Sequence, residues 1–115
     1  MGNLPGAKMS PRVVNGVLAW YQGDTFDLTV DLALTDQDGE AVTLAAADTV
    51  EVIFYDRSEN EVKKFTFSNV QDNAVTLDFS AEVTALFDRG QYTYDVHITH
   101  GERTTIASRN EVAVE

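Results

Sequence analysis

A chain of 115 residues lies near the commonest size for one domain, and 43% hydrophobic residues, with ten aromatics besides Trp20, supply a sizeable core. Nineteen acidic against eight basic residues give a net charge of −11, which opposes non-specific binding to nucleic acid or anionic lipid. Cysteine is absent, so neither a disulfide framework nor a thiolate metal site can hold the fold together.

Residues 1–16 contain both prolines, three glycines and no periodicity, and are expected to form an extended or disordered N-terminal arm. Lys8 and Arg12 are its charged residues, whereas residues 17–115 hold six basic and all nineteen acidic side chains. The arm is expected either to be an unstructured terminal remnant or to lie across a neighbouring acidic subunit, adding a strand to a free edge or pairing Lys8 and Arg12 with carboxylates. Its sequence lacks the continuous apolar segment of a signal peptide, and nowhere do eighteen apolar residues run together, so neither a signal peptide nor a transmembrane segment is expected.

Residues 17–115 read as one domain. Leu18 to Gln22 is expected as a first strand, and from Phe26 the pattern alternates cleanly. Phe26, Leu28, Val30, Leu32 and Leu34 interleave with Asp27, Thr29, Asp31, Ala33 and Thr35, the period of a strand with one buried face. The run stops at Asp36-Gln37-Asp38-Gly39, where Asp-Gly suits the positive φ of a tight turn, and Ala41 to Leu44 is expected to return. After the small residues Ala45 to Ala47, Thr49 to Tyr55 is rich in β-branched and aromatic residues, with Val50, Val52 and Phe54 expected inward. A polar turn, Asp56 to Asn60, leads to a return strand over Val62 to Phe67. Asp72-Asn73 marks another turn before Val75, Leu77 and Phe79 repeat the alternation.

At Ser80 the period changes. Ser80 can cap, Val83, Leu86 and Phe87 fall at helical spacing, and Gly90 can end the segment in a left-handed conformation, predicting one short helix of two turns near residues 80–88. Tyr92, Tyr94, Val96 and Ile98 then alternate with Thr93, Asp95, His97 and Thr99 up to the turn His100-Gly101-Glu102, and Thr104 to Val114 supplies the last strand. The sum is an all-β chain of about seven or eight strands, spaced as in an antiparallel sandwich.

No constellation reads as a reaction centre. Asp36, Asp38 and Glu40 around Gly39 hint at a calcium loop, but the downstream glutamate that such a loop needs is replaced by Ala47, and turn chemistry accounts for them. Asp95 and His97 share one strand face, half of a hydrolytic triad. No turn offers a nucleophile, and the polar half of an alternating strand explains both residues as a solvated face. Trp20 with Tyr21, Tyr55, Tyr92 and Tyr94 could stack on sugars, although aromatics in strands usually pack in cores. No catalytic, cofactor-binding or metal residues are therefore assigned, and no cofactor is expected.

The opening Tyr21-Gln22-Gly23-Asp24-Thr25 before an alternating strand, the Asp38-Gly39 turn, the Ser80 to Phe87 segment and the strand Gly90-Gln91-Tyr92-Thr93-Tyr94-Asp95-Val96 carry a resemblance. Over Val17 to Val114 the chain resembles the immunoglobulin-like β-sandwich domains of bacteriophage and prophage tail proteins, including the N-terminal domains of baseplate upper proteins. The resemblance implies a non-enzymatic structural protein of the virion, assembled in the bacterial cytoplasm. Such a domain acts by protein–protein contacts with itself, as a possible homo-oligomer, or with other tail, baseplate or tail accessory components, and not with nucleic acid or membrane. A carbohydrate-binding or adhesion sandwich is the alternative expectation, favoured if Trp20 and two tyrosines lie coplanar and exposed, and a small hydrolase is a third.

Overall fold

A computed structural model describes residues 11–32, 38–40, 48–68, 70, 74–100 and 103–115, with the backbone alone at 103 and 105–108. Among these residues eight strands and one helix follow in the order β1 (Arg12–Val14), β2 (Val17–Trp20), β3 (Phe26–Asp31), β4 (Thr49–Tyr55), β5 (Glu61–Ser68), β6 (Ala74–Phe79), α1 (Ala81–Thr84), β7 (Gly90–His100) and β8 (Arg103–Val114). They form a six-stranded sheet ordered β1-β2-β8-β7-β4-β5 and a two-stranded sheet of β3 and β6. The chain crosses between sheets after β2, β3, β5 and β6, as in an immunoglobulin-like sandwich. At the start of β7 the Tyr92 hydroxyl donates to the Asp88 carbonyl at 2.7 Å, the tyrosine corner found in that architecture.

The core is where the alternation places it. Val50, Val52 and Phe54 of β4, Val75, Leu77 and Phe79 of β6, and Tyr92, Val96 and Ile98 of β7 are buried. In the small sheet Phe26 faces Phe79, Leu28 faces Leu77 and Val30 faces Val75, while Asp27 faces Asp78 and Thr29 faces Thr76 on the exposed side. Trp20 sits fully buried at the centre, its ring 5.0 Å from Phe79, 5.2 Å from Phe26 and 5.5 Å from Phe87. Burying each such side chain contributes roughly 1.5–3 kcal/mol, and tilted and edge-on ring contacts add to that.

Four expectations need revision. Residues 12–16, assigned to the arm, belong to the sheet: Asn15 and Gly16 both take positive φ, the geometry of a tight hairpin turn, and join β1 to β2. The sandwich is not wholly antiparallel, because β2 runs parallel to β8, with Leu18 beside Val112 and Trp20 beside Val114. The helix has one α-helical turn, capped by the Ser80 hydroxyl accepting from the Val83 amide. Leu86 and Phe87 then bond three residues back and tighten it, and Asp88 and Arg89 intervene before Gly90, which opens β7 instead of closing the helix. Fourth, Asp95, expected on a solvated face, is buried. The first ten residues, Ala33 to Gln37, the Ala41 to Leu44 strand and the Asp72-Asn73 turn lie outside the described residues. Gly39 takes φ +80°, in keeping with a turn at Asp38-Gly39. No helix among the described residues is long and apolar enough to cross a membrane.

Candidate functional site

The outer face of the six-stranded sheet carries the polar half of each strand, and long side chains lie down across it. Register places Asp95 of β7 between Ile53 of β4 and Arg109 of β8. The Arg109 guanidinium grips Asp95 with two bonds, Nε to Oδ1 at 2.7 Å and Nη2 to Oδ2 at 3.1 Å, and leaves it 5% exposed. These bonds hold the Asp95 carboxyl below its ordinary pKa, outweighing the opposing effect of burial. Arg109 also reaches Glu59 at 3.5 Å and lies 5.8 Å from the Tyr55 ring centre. The Tyr55 phenol is raised by its loss of solvent and then by the nearby Asp95 charge.

His97 completes less than its spacing suggests. Its Nε2 stands 3.6 Å from Asp95 Oδ2, beyond hydrogen-bond reach, and is buried with no hydrogen-bond partner. Thr93, the hydroxyl on the same face, lies on the far side of Asp95, about 13 Å of strand from His97. Its Oγ1 is likewise buried and unpartnered. Thus carboxylate, imidazole and hydroxyl share one face without forming a relay, and Arg109 takes the carboxylate. Among the described residues no three His, Asp or Glu side chains converge to hold a metal ion.

The aromatics do not assemble into a stacking platform. Trp20 is in the core, the Tyr21 ring is covered by the Arg12 guanidinium at 4.3 Å, and Tyr94 packs on Phe54 at 5.1 Å. The exposed coplanar set that sugar stacking needs is not made by these residues.

A groove of about 290 Å³ opens over Gln91 and Thr93 of β7. Its floor is the outer face of β7 and β8, with Gln91 opposite Ala113 and Thr93 opposite Glu111. Val17 forms one side, and the turn from β4 to β5 forms the other. That turn is built by Asp56, whose Oδ1 accepts from the Ser58 and Asn60 amides at 2.8 and 2.9 Å. The Asn60 amide, ahead of the other bonds, lowers the Asp56 pKa. Closing the turn puts Glu59 at φ +65°, a left-handed conformation that few non-glycine residues adopt.

The rims of the large sheet differ in kind. At one, β5 presents Lys63 and Lys64. Lys63 occupies a core-facing position opposite Phe54, its ammonium 5.4 Å from the Phe65 ring centre, and a charge so placed discourages a further strand from pairing. At the other, β1 presents Val13 and Val14, 71% and 43% exposed. Its single charged residue, Arg12, is neutralised by Glu115. Sequence reasoning missed this edge although Asn15-Gly16 between apolar runs signals a hairpin. It also missed Arg109, whose partner is set by cross-strand register.

Comparison with known proteins found no matching family model, no similar curated protein and no matching solved structure.

Proposed function

We propose that the chain is a non-enzymatic structural and interaction module of a phage or prophage tail, at the baseplate or as a tail accessory component. It works by packing against copies of itself and against other tail proteins. The observation that carries the reading is the β1 edge, where Val13 and Val14 stand exposed on the terminal strand of the large sheet among the described residues, while the opposite rim bears lysines. An exposed apolar edge strand offers unpaired amides and carbonyls to a second chain. On a body of net charge −11, β1 is also a rim where two copies meet little like charge. The resemblance of the Val17 to Val114 strand and turn signatures to tail-protein domains supplies the assembly in question. In it the protein is made in the bacterial cytoplasm, ends in the virion, and uses neither nucleic acid nor membrane as partner.

Light scattering on the wild type and on Val13→Lys tests this. The wild type is expected to show a defined oligomer, and the variant, which puts a charge on the edge without touching the core, a mass at or near the monomer. A wild-type monomer at every concentration, or equal masses for both, sinks the reading.

A further inference from the structure

We propose that the groove between Val17 and the β4–β5 turn, with the exposed Val14 at its lip, is a docking site for a partner protein's segment that carries a lysine or arginine beside an apolar residue. This rests on the reading of the chain as an interaction module and specifies one of its contacts. The surface is continuous across strands: Val14 faces Val17 across the β1–β2 hairpin, Val17 and Glu111 line the same groove, and Glu111 faces Thr93. An apolar lip thus leads directly onto a polar floor.

Charge fixes the chemistry of the occupant. Asp56, Glu59 and Glu111 line the groove against one cation, Arg57. Asp56 is committed to its own turn and Glu59 is shared at 3.5 Å with Arg109, whereas Glu111 has no ion-pair or hydrogen-bond partner among the described residues. Thr93 contributes to the floor of the groove, its Oγ1 lying buried beneath that surface. A basic side chain entering from the lip would lay its aliphatic stem on Val17 and Ala113 and bring its charged end to Glu111. The volume, about 290 Å³, suits one long side chain and its neighbour rather than a large cofactor. Copies of this chain are acidic and poor in lysine and arginine, so the observations favour a different, basic protein as the source.

Amide chemical shifts of the full chain, followed during titration with the probe peptide acetyl-Leu-Arg-Leu-amide, test the proposal. Expected are changes centred on Val14, Val17, Thr93, Glu111 and Ala113 with millimolar affinity. Binding should weaken about threefold to fivefold in Glu111→Gln, the size of one exposed ion pair. The proposal is overturned by no shifts up to about 20 mM peptide, by equal binding of acetyl-Leu-Glu-Leu-amide, or by shifts centred on Asp27, Asp31 and Asp78. The unperturbed spectrum of Glu111→Gln checks its fold, and Val17→Ser, which removes the apolar wall, supplies a second variant that should also weaken binding. An oligomer sensitive to Val13→Lys together with a silent peptide removes the groove and leaves the assembly reading standing. Peptide binding to a strict monomer does the reverse.

Discussion

Asp95 occupies a polar position of an alternating strand, yet it is among the most buried residues of its face, because Arg109 lies over it with a two-point grip. Its lowered pKa has a definite sign for stability. The folded state holds the carboxylate more tightly than the unfolded chain does, so the stabilisation is fully present above the unfolded value and is lost as pH falls through the folded one. Asp95→Asn should therefore lower stability by about 1–2 kcal/mol at pH 7, an exposed Arg109 reducing the worth of the pair. The gap between wild type and variant, read from urea titrations, should stay constant above about pH 5 and close below about pH 4. Taking the difference cancels the general easing of acidic repulsion that protonation brings to both proteins. A gap that widened in acid would contradict the assignment. That Asp95 is polar was legible in the period of β7; that it is buried was not, since only the register Asp95 to Arg109 brings the cation over it.

At the scale of elements, the strands were legible wherever the alternation ran for six residues or more. Thr49–Tyr55, Ala74–Phe79 and Gly90–His100 place the expected residues inward because each has a core on one side and water or long polar side chains on the other. The short hairpin Arg12–Trp20 escaped notice because three residues are too few to show a period and the surrounding glycines and prolines suggest an arm. The parallel pairing of β2 with β8 was equally hidden, for it joins residues nearly a chain length apart. The turn from β4 to β5 was read correctly as polar, but not its strain. Asp56 closes it by bonding two amides, and this obliges Glu59 to take positive φ. Glu59→Asn, which tolerates that conformation, should stabilise the domain by about 0.5–1 kcal/mol and raise its denaturation midpoint. An unchanged or lower midpoint would show that Glu59 is not strained there.

Taken whole, the described residues bury one aromatic-rich core between a large and a small sheet and set charged side chains on the outer face of each. Asp27, Asp31 and Asp78 line the outside of the small sheet, and ion pairs such as Lys64 with Glu51 and Arg109 with Asp95 cross the outside of the large one. Such surfaces resist casual association, and among the described residues β1 stands out as an exposed apolar edge beside a groove. Neither was legible beforehand: exposure at an edge depends on which strand ends the sheet, and a groove depends on which loop overhangs which strand. Lys63 at the opposite rim shows that an edge in this fold can be guarded, so the bare valines of β1 are a difference in kind between two otherwise similar rims.

Amide hydrogen exchange at low and high protein concentration tests that difference most directly. The assembly account predicts that the amides of Arg12–Val14 become more protected as concentration rises while those of the β5 edge, Glu61–Ser68, do not change. Protection that grew at β5 and not at β1, or that did not depend on concentration at either edge, would contradict it.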